Sequence, residues 1–177
     1  QWWIDRMRHS LALYDIVRID HFRGFEAYWE IPAGADSALQ GQWQPGPEGW
    51  LFNAMRKELG ELRVIAEDLG VITPAVNALR KQLGFPGMRV LQFAFDHNPD
   101  NTYLPHNYEA DTVVYTGTHD NDTSQGWWAS LPEHERDYVR RYLSIDGNWI
   151  HWDLIRAASA SVAAFTIFPM QDVLGLD

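Results

Sequence analysis

Three apolar runs of this sequence end in a carboxylate set among hydrogen-bonding residues: Arg18-Ile19-Asp20-His21-Phe22-Arg23-Gly24, Ile65-Ala66-Glu67-Asp68-Leu69-Gly70 and Thr116-Gly117-Thr118-His119-Asp120-Asn121-Asp122. Carboxylates do acid–base and nucleophilic chemistry together when their surroundings set them in opposite protonation states. Alternation along a strand places Arg18 and Asp20 on one face, where the guanidinium would hold the Asp20 carboxylate ionised, as a nucleophile requires. Glu67 directly follows Val64-Ile65-Ala66. It is therefore expected at the rim of an apolar environment, which favours the protonated form of a general acid. Two such carboxyl groups held about 5–5.5 Å apart are the apparatus of a retaining glycosidase. A single carboxylate at a strand end is commonly a helix cap or a surface ion pair; three in one chain point to a site.

Other chemistries are poorly supplied. His21 and His119 have no His-x-x-x-His partner and the chain has no cysteine, so no metal site is expected. No Gly-rich turn follows a strand to cradle phosphate, and no cofactor is expected.

Carboxylates on separate segments need a scaffold that gathers strand ends. Five apolar runs of strand length alternate with helical patterns: Asp15 to Asp20, Leu62 to Glu67, Arg89 to Phe95, Thr112 to Thr116 and Ala163 to Phe168. Their near-continuous Val, Ile, Leu and Phe content predicts parallel strands covered on both faces. Trp3, Met7, Leu11 and Tyr14 predict a helix before the first strand. Thr73-Pro74 with Gly84 marks a capped helix, and Ser130 to Glu133 resembles a capping box. Ala33 to Gly49, rich in Gly, Pro and Gln, is expected to be a long loop. The fold class is therefore α/β, with the site at the C-terminal ends of the strands.

The formal charge of −10 over 177 residues repels phosphate backbones and anionic lipid, so neither nucleic acid nor membrane is expected as a partner. No apolar run approaches the ~20 residues of a membrane helix. The N-terminus lacks the pattern of a signal peptide, and a cytoplasmic location is expected. Nine tryptophans exceed what packing alone asks for, and sugar rings stack on indole faces; Trp50, Trp127 and Trp128 are candidate platforms.

The order and spacing of the three carboxylate segments, 47 residues from Asp20 to Glu67 and 53 more to Asp120, resemble the 4-α-glucanotransferases of glycoside hydrolase family 77, the amylomaltase or disproportionating enzymes of the α-amylase superfamily. Trp29-Glu30-Ile31-Pro32-Ala33-Gly34, Gly84-Phe85-Pro86-Gly87-Met88, Tyr103-Leu104-Pro105-His106-Asn107-Tyr108 and Gly126-Trp127-Trp128 resemble the same family. The resemblance implies a (β/α)8 TIM barrel of which this chain supplies roughly strands 4 to 8. A closed barrel needs eight βα units and about 250 residues. Residues 1–177 are thus expected to be the C-terminal portion of a single catalytic barrel domain, incomplete at both ends. Such a portion exposes strand edges and is expected to be unstable or self-associating alone.

The resemblance further implies roles. Asp20 would be the nucleophile and Glu67 the acid/base. Asp120, preferred to Asp122 because it follows His119 as in the wider superfamily, would bind and distort the reacting sugar. Arg18 and His119 would support substrate binding there, and Asp96 is a plausible glucan contact. The implied activity is transfer of α-1,4-glucan segments between maltooligosaccharide donor and acceptor by retaining double displacement. The alternatives are an α-amylase-type hydrolase and an inactive glucan-binding fragment.

Overall fold

Helix α1 (Trp2–Leu13) turns one apolar stripe inward: Met7 is buried, and Trp3, Ile4 and Leu11 pack beside it. Extended Tyr14 ends it and leads into strand β1 (Val17–Ile19), which pairs in parallel with β4 (Val64–Ala66) in the register Val17 to Val64 and Ile19 to Ala66. Helix α2 (Glu48–Leu59) lies between them in sequence and stops at Gly60. Helix α3 (Pro74–Leu83) begins as the sequence predicts. Thr73 Oγ1 accepts the Val76 N–H, Pro74 occupies the first turn, and Gly84 closes the helix in the left-handed region at φ 67°. The core of this part is dense in aromatic rings, with Phe22, Phe25, Phe52 and Phe85 in mutual tilted and edge contacts.

All residues 1–177 are described by this computed structural model, in which they form two units, Gln1–Gly87 and Met88–Asp177. Strands β5 (Gly87–Val90), β6 (Thr112–Tyr115) and β7 (Phe165–Ile167) form a three-stranded sheet in that order, β6 and β7 being parallel. Helices α4 (Ser124–Ser130), α5 (Glu133–Leu143) and α6 (Ile150–Ser159) follow β6, and α7 (Met170–Leu174) follows β7. Leu91, Leu104, Val114, Val139, Ile150 and Leu154 are fully buried in the core of the second unit.

Four expectations need correction. The segment expected as a long loop contains strand β3 (Gln42–Pro45), paired antiparallel with β2 (Ala27–Glu30). This hairpin escaped the apolar pattern because it packs its own aromatics, Trp29 against Trp43 at 5.4 Å, while its outer residues stay exposed. The capping box is not formed: α5 starts after Pro132 without a side-chain cap, and Ser130 Oγ donates to the Trp127 carbonyl. The run from Arg89 to Phe95 is extended only to Val90 and then tightens into a 3-10 turn over Leu91–Phe93. Coverage on both faces holds for β4 and β6, not for β1 or β7, where Phe165 and Ile167 are exposed.

Just past β4, Asp68 is buried against Arg80 of α3, with 3.4 Å between Oδ2 and Nε, and Arg80 also donates to the Phe85 carbonyl. A Cβ at residue 87 would lie 2.4 Å from Asp68 Oδ2, which reserves that position for glycine. Removing one partner of a buried pair strands the other charge, so Asp68→Ala should cost about 3–5 kcal/mol in equilibrium unfolding by denaturant.

In the second unit, the Tyr108 hydroxyl donates to the Tyr103 carbonyl at 2.9 Å, and burial pushes this phenol well above its ordinary pKa. Unfolded tyrosine ionises near pH 10, at about its model-peptide value. Above that pH the unfolded chain releases a proton that the folded chain retains, so stability falls with rising pH. The difference in thermal midpoint between the native sequence and Tyr108→Phe should be flat up to about pH 10 and then shift in favour of Phe as pH rises further.

Candidate active site

The ladder between β1 and β4 continues past both strands and sets the geometry of their tips. Glu67 N–H donates to the Ile19 carbonyl at 2.9 Å, and Phe22 N–H returns to the Glu67 carbonyl at 3.0 Å. Asp20 and Glu67 therefore leave neighbouring parallel strands at the same level. The predicted pairing of Arg18 with Asp20 is made, Nη2 lying 2.6 Å from Oδ1, with the Asp20 side chain 75% exposed and that of Arg18 28% exposed. In so open a setting the pair contributes little to folding. What it supplies is orientation, since one oxygen is engaged by the guanidinium and the group faces solvent.

Glu67 differs from expectation. Its carboxylate is half-buried and is met by backbone donors rather than by apolar walls: His21 N–H reaches Oε2 and Leu69 N–H reaches Oε1, each at 2.7 Å. The first of these bonds depends on a conformation that L-residues adopt reluctantly. His21 sits in the left-handed region at φ 49° and ψ 53°, at a cost of about 1–2 kcal/mol. The residue after the Asp20 position thus takes part through its main chain. Sequence reasoning considered the His21 imidazole and overlooked its N–H.

Arg23 was also overlooked. Its Nη1 donates to the Val71 carbonyl at 2.6 Å, and its guanidinium lies 4.5 Å from the centroid of the Trp43 ring. It therefore ties the turn after Asp20 to the loop after Glu67 and to the hairpin. The visible signal was an arginine three residues beyond the candidate nucleophile.

Asp120 and His119 belong to the loop that leaves β6. His119 Nε2 lies 3.4 Å from Asp120 Oδ2, and the two side chains are 72% and 79% exposed. The turn beneath them is fixed by Asn121, whose Oδ1 accepts from Thr118 N–H at 2.9 Å and from Thr118 Oγ1 at 2.8 Å. The competing carboxylate is otherwise engaged. Asp122 Oδ1 accepts the Thr123 N–H at the start of α4, and a Cβ on residue 126 would lie 2.6 Å from both of its oxygens. Asp120 has the His119 ring as its neighbour, whereas Asp122 reaches the start of α4.

The remaining candidates divide. The Asn101 side chain and the Asn98 N–H hold Asp96 below the usual carboxylate range. It braces its own turn and remains exposed. Trp127 packs on Phe95 at 5.9 Å, and Trp128 lies under the guanidiniums of Arg136 and Arg140, so both indoles are packing elements. Trp50 remains 67% exposed beside a groove of about 460 Å³. No group of three His, Asp or Glu side chains is placed to hold a metal ion.

A family model described as 4-alpha-glucanotransferase matches residues 1–177. The chain belongs to that family. Among its curated relatives, the chloroplastic/amyloplastic 4-alpha-glucanotransferase of Arabidopsis thaliana is 53% identical over 99% of this chain and 31% of its own length. The 4-alpha-glucanotransferase of Synechocystis is 54% identical over 99% of this chain and 35% of its own, and that of Thermus thermophilus 50% identical over 98% and 36%. This member of the family thus spans about a third of the length of those relatives. Among solved structures, an amylomaltase from Streptococcus agalactiae in complex with acarbose matches with a TM-score of 0.93 and 39% identity, covering 99% of this chain and 36% of that one. An amylomaltase from Corynebacterium glutamicum, 18% identical, matches with a TM-score of 0.74, which speaks to fold alone. The likeness carries the TIM-barrel glycoside hydrolase fold to this family member, of which 177 residues supply a part.

If His21 holds Glu67 through its main chain, substitutions should rank by their tolerance of positive φ. In the full-length protein, His21→Gly should keep more of the native kcat than His21→Val, with the β-branched residue costing the larger factor. Equal kcat for the two variants would show that the backbone bond to Glu67 is immaterial.

Proposed function

We propose that the full-length protein is a 4-α-glucanotransferase that moves α-1,4-glucan segments from a maltooligosaccharide donor to an acceptor by retaining double displacement, and that this chain supplies roughly strands 4 to 8 of its barrel. The observation that carries the reading is the placement of Asp20 and Glu67 at the same level on adjacent parallel strand tips. The names of the relatives support it.

In the first step an Asp20 carboxylate oxygen attacks the anomeric carbon of the donor. The glycosidic bond breaks, and a proton from Glu67 goes to the departing sugar oxygen. In the second step Glu67 takes the proton of the acceptor hydroxyl, whose oxygen attacks the same carbon and releases Asp20. Arg18 orients the nucleophile through the contact of its Nη2 with Asp20 Oδ1. Asp120 accepts hydrogen bonds from the hydroxyls of the reacting sugar, with His119 beside it, and these bonds favour the distorted ring of the transition state. Transfer prevails over hydrolysis when the acceptor sugar displaces water from the intermediate.

Maltotriose supplied alone to the full-length protein should yield glucose together with chains longer than the substrate. Exclusively shorter products would assign the same carboxylates to an α-amylase-type hydrolase. Asp20→Asn should abolish turnover, and Glu67→Gln should lower kcat by about 10²–10⁴. Intact turnover in Asp20→Asn would remove the nucleophile from this scheme, and glucan binding without turnover in the native protein would make the chain a binding module.

A further inference from the structure

The loop that carries His119 and Asp120 has both of its ends fastened to one buried side chain. Thr116, directly after β6, and Ser124, the first residue of α4, are both fully buried. Thr116 Oγ1 donates to Asp172 Oδ2 at 2.5 Å, and Ser124 N–H donates to Asp172 Oδ1 at 2.8 Å. Asp172, on α7, is 1% exposed. Each carboxylate oxygen thus closes one end of the seven-residue span between positions 116 and 124.

Helix α7 is itself anchored. Gly175, in the left-handed region at φ 65°, ends it against the His151 ring, and its carbonyl accepts Gln125 Nε2 from α4 at 3.1 Å. Within the loop, Gln92 Nε2 donates to the Asp122 carbonyl at 2.9 Å, and a Cβ at residue 117 would lie 2.9 Å from that same nitrogen. The Thr118–Asn121 bonds brace the tip. The base of the loop is locked, while the side chains of His119 and Asp120 at its tip stay open to solvent.

We propose that Asp172 is a positioning residue for Asp120: it sets the width and angle of the loop that presents this carboxylate to the reacting sugar, without touching substrate itself. The residue type suits the task. A hydroxyl and a backbone N–H both need an acceptor, and the carboxyl group turns one oxygen to each, whereas an amide would turn its N–H₂ toward one of the donors. Displacements of the order of 1 Å in a group that acts on the transition state are costly in rate, so the accuracy of this clamp is read in kcat. The inference rests on the transferase reading above and on the sugar-binding role it gives Asp120.

The test is made in the full-length protein with maltotriose as substrate. Asp172→Asn and the near-isosteric Thr116→Val each disturb the clamp, the second without altering the buried carboxylate. Val139→Ala, a core truncation in α5, serves as a stability control. Both clamp variants should lose kcat by roughly tenfold or more with little change in KM, while Val139→Ala, at a comparable loss of thermal midpoint, keeps its kcat. In an Asp120→Asn background Thr116→Val should cost nothing further, because its effect passes through a carboxylate already removed. Native kcat in Thr116→Val, or an undiminished additional loss in the Asp120→Asn background, would overturn the proposal. Full turnover in Asp120→Asn alone would instead overturn the role assigned to Asp120, so the two failures are distinguishable.

Discussion

The parallel pairing of β1 with β4 is the constraint on which the Asp20 and Glu67 site depends. Parallel strands exchange evenly spaced, slanted hydrogen bonds, and here the pattern runs on beyond the last strand residues through Glu67 N–H to Ile19 and Phe22 N–H to Glu67. Two residues 47 positions apart in sequence are brought level by main-chain bonds that are indifferent to side-chain identity. The side chains can then specialise for chemistry. A helical crossover, α2, makes the pairing possible, and its buried Leu51, Phe52 and Met55 hold it against the strands.

Backbone groups carry more of each candidate segment than composition suggests. His21 and Leu69 contribute to Glu67 only through N–H groups, and Thr123 and Asn121 shape the Asp120 loop through turns and caps. Fixed donors of this kind need no reorganisation when charge moves, which is the electrostatic advantage of a preorganised site. The left-handed kink at His21 is the visible cost of one such donor, tolerated because Phe22 and Phe25, in the turn that follows it, are buried in the core. Asp172 and Asp68 follow the same logic at a remove: each is a buried carboxylate that fastens a segment carrying a candidate group.

The aromatic content resolved in an instructive way. Phe22, Phe25, Phe52 and Phe85 build one core, and Trp127 and Trp128 pack within the other, so much of the excess that suggested sugar platforms is structural. Trp29 and Trp43 stabilise a hairpin with no apolar alternation to announce it, since the cross-strand ring contact substitutes for a buried face. A compositional signal for carbohydrate binding is therefore diluted by packing, and exposure, as at Trp50, separates the two uses.

Legible in the sequence alone were the α/β class, Asp20 and Glu67 at strand ends with Asp120 in the loop after a third strand, the contact between Arg18 and Asp20, and the caps of α3. Each of these follows from local rules: apolar period, alternation along a strand, and a Thr-Pro start with a Gly stop. It misplaced the elements whose stability comes from elsewhere, namely the hairpin, the early end of β5 and the start of α5. The folded structure was needed to show that Glu67 is met by backbone N–H groups, that Asp122 bonds at the start of α4 and Asp96 within its own turn, and that Asp172 closes a loop whose far end lies 56 residues upstream. Local pattern reports which residue types are present and on which face of an element they stand. Which donor reaches which acceptor is settled by chain crossings that bring distant residues within 3 Å, and those have no local signature.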